Sequence, residues 1–351
     1  MGASLAWALK RWTTIEDITG LDPNRRHLQY ALQQGFIDRG LSTPEERIGE
    51  ADLLFFATPV HHIISSFTQL RGGLEEGCIV TDLGSTKGMI VNRMEELTAS
   101  SFHFIGGHPM TGSEKSGPEN ADPLLFENAV YVLTPTERTD EEALKSLKFL
   151  LEEIGARVLL LTPETHDRIV ASVSHLPQLL ATAIINCIFT GQREDSRLAA
   201  LAAGGFKDTT RIAGGNPKMW RGIFSSNKKE IRAVLQSLQQ ELARWEEALK
   251  EGDYQTIAAW QKQARSYKEE IPELEKGLLP REFELVVSIP DRPLALGQIT
   301  TLLGKAGINI ADIGILKIRE RGGALRLVFD SSSDRSRALN LLEGKGYNVE
   351  A

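Results

Sequence analysis

Between residues 51 and 161 five short apolar runs alternate with helix-period segments, and this pattern constrains the fold more than any other. Ala51–Pro59 (ADLLFFATP) reads as a buried strand closing in Thr58-Pro59, and Val60–Leu70 reads as a helix. Cys78–Asp82 (CIVTD) is the next strand. It runs into Leu83-Gly-Ser-Thr-Lys-Gly88, whose glycine and hydroxyl content suits a strand-to-helix ligand loop. Phe104-Ile105 leads to a loop at His108, and Ala129–Leu133 is a further strand. Glu141–Ile154 is helical, and Val158–Leu161 supplies the last strand. Short apolar strands alternating with helices predict a mostly parallel, doubly wound α/β sheet of Rossmann-like type.

Open sheets of this kind bind ligands outside the carboxyl ends of their strands. Three polar loops fall there, at 58–60, 82–87 and 106–114. The last lies within Phe104-Ile-Gly-Gly-His-Pro-Met-Thr-Gly-Ser-Glu-Lys-Ser-Gly117, which carries one imidazole, hydroxyls and a carboxylate among glycines. Gly106, Gly107 and Gly112 permit turns, and Pro109 fixes φ. Histidine changes charge near neutral pH, so His108 is the candidate for general acid–base work.

Residues 2–11 form an amphipathic helix, and Ile15–Leu21 reads as a strand ending in Asp22, 20 residues after Gly2. That spacing matches the last glycine of a dinucleotide fingerprint and the acid that bonds the ribose 2′-OH. Gly2, Asp22, Thr58, Pro59 and Asp82 are therefore the cofactor-binding candidates. A first strand and the first two glycines of that fingerprint are not in the sequence. The expectation is a polypeptide extending upstream by one apolar strand and a Gly-x-Gly turn. Without them a gap should open between the strand ending at Asp22 and the strand Asp52–Ala57, leaving the chain unstable or weak in NAD binding.

Thr162-Pro163-Glu164 is a helix start with threonine as cap and proline in the first turn. From there to Gly277 the pattern is helical, with a kink or restart expected at Pro177 and a break at Gly204–Arg211. Lys228–Glu251 carries Ile231, Val234, Leu235, Leu238, Leu242, Trp245 and Leu249 on one stripe, read as core or dimer packing. Tyr267–Pro280 reads as a linker. Phe283–Val349 then follows the order βαββαβ, the ferredoxin-like arrangement. These boundaries divide the 351 residues into a nucleotide-binding domain (1–162), a helical substrate and dimerisation domain (163–278) and a small unit (281–351).

A net charge of −7 gives no basic footprint for nucleic acid. The two cysteines, Cys78 and Cys187, lack metal or redox spacing and suggest a reducing compartment. No metal is indicated. By inspection no apolar run reaches membrane-spanning length, so the expectation is a cytoplasmic protein.

Four motifs stand in a specific order: Asp82-Leu-Gly-Ser-Thr-Lys87, His108-Pro-Met-Thr-Gly-Ser-Glu114, Ser174-His-Leu-Pro177, and Gly204-Gly-Phe-Lys-Asp-Thr-Thr-Arg211 with Trp220 nine residues on. On these the chain resembles the prephenate/arogenate dehydrogenase family of tyrosine biosynthesis, followed by an ACT domain. The resemblance implies oxidative decarboxylation of prephenate, or of its amino analogue arogenate, with NAD or NADP by a homodimer, and Asp22 favours NAD. It implies His108 as base with Ser85 assisting, Arg211 as carboxylate clamp, and His175, Ser113, Glu114 and Trp220 in the substrate pocket. A planar bidentate donor is the natural choice for a carboxylate. Arg211 could instead pair with Asp208, and His175 could be a satisfied core histidine. For the ACT unit the resemblance implies tyrosine as effector near Asp291, Leu294, Gly297 and Asn309. Leu294 stands where the family's effector loop usually has glycine. Two rival readings are a β-hydroxyacid type of dehydrogenase, whose Lys–Asn pair is not seen, and a catalytically idle sensor of NAD and an amino acid.

Overall fold

Helix α1 (Gly2–Trp12) buries Leu5, Ala8 and Leu9, a spacing of three and four residues that puts one apolar stripe on one face. The computed structural model describes residues 1–43, 51–98, 102–112, 116–191, 197–270, 283–290, 292–319 and 322–350. The chain divides into two units, Met1–Gly277 and Leu278–Ala351.

In the first unit β1 (Thr19–Leu21) and β2 (Arg39–Leu41) pair in parallel, joined through α2 (Arg25–Gln33). Of the expected strand Ile15–Leu21, only the last three residues enter the ladder, and Ile15 and Ile18 pack against the core under α1 instead. Five further strands form a second sheet in the order β3-β4-β5-β6-β7. They are β3 (Leu53–Phe56), β4 (Ile79–Asp82), β5 (His103–Pro109), β6 (Val130–Thr134) and β7 (Arg157–Leu160). The sheet is thus in two pieces, and among the described residues no ladder joins β1 to β3. Side chains connect the pieces: Leu5, Ala8, Leu9 and Ile18 share one cluster with Leu53 and Phe55.

Helices α3 (Val60–Leu70) and α4 (Gly88–Thr98) cover one face of the second sheet, burying Ile63, Phe67, Ile90 and Met94 against Phe56, Val80 and Phe104. Helix α1 and α5 (Glu141–Glu153) cover the other. All ladders in the two sheets are parallel except β5–β6, which is antiparallel. Strand β5 also runs further than expected, so His108 and Pro109 sit in the ladder opposite Val132 and Tyr131. Gly106 and Gly107 are therefore not turn glycines, and neither has a positive φ. Their missing side chains serve close approach: a Cβ on Gly107 would lie 2.5 Å from the Asp82 carbonyl oxygen, and one on Gly106 2.4 Å from Thr134 Oγ1.

Helix α6 (Pro163–Val170) starts as expected, with Thr162 Oγ1 accepting the Thr165 N–H at 3.2 Å and Pro163 in the first turn. A π-helical turn, Ala171–His175, leads into α7 (Leu176–Gly191). The wider turn before Pro177 lets the helix continue where proline alone would break it. Pro163–Thr190 is consequently one helical stretch of 28 residues, long and apolar enough by length and composition to cross a membrane. This corrects the expectation that no run reaches that length. The stretch nonetheless carries the buried polar residues His166, Asp167 and His175.

Helices α8 (Arg197–Leu201) and α9 (Gly204–Thr210) follow, and α9 occupies the segment expected to break the pattern. A 3₁₀ turn, Arg211–Gly214, precedes α10 (Pro217–Ser226), α11 (Lys228–Glu251) and α12 (Tyr254–Glu270). Gly252, at φ +68, closes α11 in the left-handed conformation that suits glycine.

In the second unit β8 (Glu284–Ile289), α13 (Ala295–Lys305), β9 (Asp312–Arg319), β10 (Gly322–Val328), α14 (Ser332–Gly344) and β11 (Val349–Glu350) build an antiparallel sheet of order β11-β8-β10-β9. This is the ferredoxin-like βαββαβ arrangement. Leu285, Val287, Ile299, Leu303, Leu325, Leu327 and Leu342 form its core. Leu294, immediately before α13, has φ +71 and is 76% exposed. An L-residue there carries strain of about 1–2 kcal/mol.

Candidate active site

Asp82 ends β4 and has no solvent exposure. Its Oδ2 pairs with Lys87 Nζ and accepts the Gly84 N–H at 2.8 Å, while its Oδ1 accepts the Gly107 N–H at 3.2 Å. Lys87, equally buried, also donates to the Gly107 carbonyl at 2.7 Å. Burial pushes the Lys87 ammonium below its ordinary range, and the Asp82 charge opposes that fall. This cluster ties the β4–α4 loop to β5. It corrects the expectation for Asp82, because both of its oxygens are taken inside the core and none is offered to a cofactor.

From the same loop, the Lys87 N–H donates to Asp167 Oδ1 at 2.7 Å and the Gly88 N–H to Asp167 Oδ2 at 2.9 Å. Asp167, on α6, thereby caps the N-terminus of α4, where negative charge is favoured. His166 Nδ1 donates to Asp167 Oδ1 at 2.8 Å, and His166 Nε2 lies 2.8 Å from His108 Nδ1. Burial alone would raise the Asp167 carboxyl, but the bonds from His166, Lys87 and Gly88 hold it below the usual carboxylate range. A carboxylate only accepts, so it fixes the His166 proton on Nδ1. One proton lies between His166 Nε2 and His108 Nδ1. Burial, reinforced by His166, Lys87 and His175, pushes the His108 imidazolium well below its ordinary range. The structure thus presents a neutral imidazole held at Nδ1 by His166.

His175 lies in the π turn at 1% exposure, its ring edge-on to Trp220 at 6.0 Å between centroids. Its Nδ1 is 3.2 Å from Asn227 Nδ2. Burial brings its pKa down to about 4, with His166 adding to the fall and Asp167 opposing it. Trp220 also packs on Phe224 and is backed by Gly215, where a Cβ would meet its Nε1 at 2.5 Å. Ser85 is half-buried in the β4–α4 loop. Next to it Thr86 Oγ1 lies 2.8 Å from Ser226 Oγ of α10. Arg211 is exposed at the start of the 3₁₀ turn leading to Gly215. Ser113 and Glu114 lie outside the described residues.

On the nucleotide side, a Cβ on Gly2 would stand 2.9 Å from the Ala57 Cβ, so the N-terminus of α1 abuts the end of β3 and the exposed Thr58-Pro59. Asp22 follows β1, accepting the Asn24 N–H at 2.7 Å and lying 3.3 Å from His27 Nδ1. Gly112, beyond the end of β5, faces Met1, whose Cε would be 3.7 Å from a Cβ there. The two candidate regions are neighbours.

Sequence reasoning missed His166, Asp167, Asn227 and the structural part of Lys87. An adjacent His-Asp pair within an apolar helix was a usable signal. Nothing in the sequence joins it to His108, 58 residues away.

Comparison with known proteins gives the family. Residues 5–160 match the model of the prephenate dehydrogenase nucleotide-binding domain, and residues 162–263 that of the prephenate dehydrogenase dimerization domain. A prephenate dehydrogenase of Bacillus subtilis (strain 168) is 34% identical over 98% of this chain and 94% of its own. The crystal structure of prephenate dehydrogenase from A. aeolicus, in complex with hydroxyphenyl propionate and NAD+, superposes with a TM-score of 0.74 at 33% identity. It covers 77% of this chain and 94% of that one. Synechocystis arogenate dehydrogenase gives 0.67 at 31%, covering 77% and 95%.

The two depressed histidines make stability depend on pH. A group whose pKa is lower folded than unfolded contributes stability above its unfolded value, and that stability is lost as pH falls. For His175 the loss runs from 6.5 down to about 4. The melting temperature should therefore drop between pH 7.5 and pH 5, and less steeply in His175→Gln. An equally steep drop in that variant contradicts the burial of a neutral His175.

Proposed function

The chain belongs to the prephenate dehydrogenase family, and from that premise we propose how its residues carry out NAD-dependent oxidative decarboxylation of prephenate to 4-hydroxyphenylpyruvate. The observation that carries the assignment is the Asp167–His166–His108 chain of hydrogen bonds, in which we place the proton between the two rings on His108 Nδ1, making Nε2 the acceptor. His108 Nε2 takes the proton of the C4 hydroxyl. Positive charge then developing on the imidazole is passed by its Nδ1–H to His166 and opposed by the Asp167 carboxylate. Ser85, on the loop held by the Asp82–Lys87 pair, assists at the same hydroxyl. Arg211 holds a substrate carboxylate, and His175, Trp220, Ser113 and Glu114 line the pocket. As hydride leaves C4, the ring carboxylate departs as carbon dioxide and the ring becomes aromatic. The protein's contribution is positioning and proton removal.

The residues present fit NAD. Gly2 allows the N-terminus of α1 to close on the end of β3, and the Asp22 carboxylate at the end of β1 suits a ribose hydroxyl. When bound, NAD supplies the hydride acceptor. Thr58 and Pro59 flank it on the β3 side. We assign the exposed apolar side chains Val173, Leu242, Leu249 and Tyr254 of the helical part to a homodimer contact.

We propose that the second unit is an ACT domain sensing tyrosine, on the support of its βαββαβ order. Asp291 lies outside the described residues. Gly297 is in α13, and Asn309 donates to Asp330 Oδ2 at 3.1 Å.

Two experiments test these readings. With prephenate and NAD, His108→Asn should lower kcat by roughly two to four orders of magnitude with little change in KM. Arg211→Ala should act mainly on KM, since a clamp binds ground and transition states alike. Exchange of the two effects refutes the roles, and a clear preference for arogenate refutes the substrate. Removing residues 281–351 should abolish tyrosine inhibition at low substrate. Inhibition that survives the deletion places tyrosine at the active site.

A further inference from the structure

Asn227 sits at the junction of α10 and α11, 3% exposed, and its side chain caps neither helix. Its Nδ2 lies 2.8 Å from the backbone carbonyl oxygen of Asp167. A carbonyl only accepts, so that contact by itself identifies the atom as the amide nitrogen rather than the oxygen. The same nitrogen lies 3.2 Å from His175 Nδ1. An amide NH₂ has two hydrogens to give and no lone pair to offer, so Nδ1 of His175 receives one of them. The ring is then neutral with its own proton on Nε2.

We propose that Asn227 is a positioning residue that fixes His175 as the Nε2–H tautomer. The site then offers its substrate one histidine that accepts, His108, and one that donates, His175. The opposite states come from opposite partners. In the mechanism proposed above His108 gives its Nδ1–H to a histidine backed by a carboxylate, whereas His175 receives at Nδ1 from an amide. The groups facing His175 are Asp167 and His166 of α6, His108 of β5, Trp220 of α10 and Asn227 itself. The pairing matters because of the chemistry proposed above, on which this inference rests. A substrate with one reacting hydroxyl needs an acceptor there, and its carboxylates and carbonyl need donors. A histidine with a bare Nε2 could not donate to them.

The test is the ring-nitrogen spectrum of the full-length protein with ¹⁵N-labelled histidine, assigned with His175→Gln. At pH 7 His175 should show an unprotonated Nδ1 and a protonated Nε2. In Asn227→Asp the new carboxylate accepts from Nδ1, so the pattern should invert. KM for prephenate should rise about ten- to a hundredfold, the range for a lost bond to a charged group, with a smaller fall in kcat. A merely structural Asn227 would lower the melting temperature and leave the tautomer alone, which overturns the proposal. So does Nδ1–H or doubly protonated His175 in the unsubstituted protein, a reading that needs no variant to fold. The predicted spectra in a protein that does not oxidise prephenate would support the tautomer while refuting the substrate.

Discussion

The arrangement depends on one buried ion pair, Asp82 with Lys87, neither of which reaches solvent. Burying two charges costs several kcal/mol each, and their attraction offsets that only when the remaining donors and acceptors are satisfied. Here Gly84 N–H, Gly107 N–H and Gly107 C=O supply further partners to both groups. The pair is thus also a set of bonds between two neighbouring chain segments. It holds the β4–α4 loop against β5 at the place where a side chain on Gly107 would push them apart.

From this clip the order spreads to the chemistry. Once the loop is fixed, the Lys87 and Gly88 N–H groups are aimed at Asp167, and Asp167 in turn sets His166 and His108. The backbone carbonyl of Asp167 receives Asn227, which touches His175. Asp167 therefore caps a helix of the nucleotide-binding part, belongs to a helix of the helical part, and stands behind both histidines. Neutral imidazoles follow from the same compactness, since burial is the largest cause of both depressed pKa values.

How much of this could be read beforehand follows from the range of the interactions. The alternation of apolar runs and helices is local, so β3, β4, β6, β7, α3 and α5 were visible with small errors at their ends. Strand β2, three residues containing Arg39 and Gly40, offers no apolar run to notice. Gly106-Gly107-His108-Pro109 reads as a turn by composition and is a strand in fact, because the glycines answer to Asp82 and Thr134 across the sheet. Asp82 looked like a ligand for the complementary reason: its partner Lys87 was in plain view, but burial was not. The π turn likewise joins two segments that Pro177 was expected to separate. By contrast Leu294 is conspicuous in sequence as an unusual residue and conspicuous in structure by its positive φ.

A double-mutant cycle on Asp82→Leu and Lys87→Met, followed in both stability and turnover, addresses the clip most directly. Each single change strands a buried charge and should cost about 3–5 kcal/mol. The double change removes both charges and should regain most of that stability. It should still lower kcat/KM by roughly a hundredfold, the scale of a misplacement of about 1 Å at a catalytic group. A stable double variant with the turnover of the parent protein would contradict the central claim, because His108 would then be positioned without the Asp82–Lys87 pair.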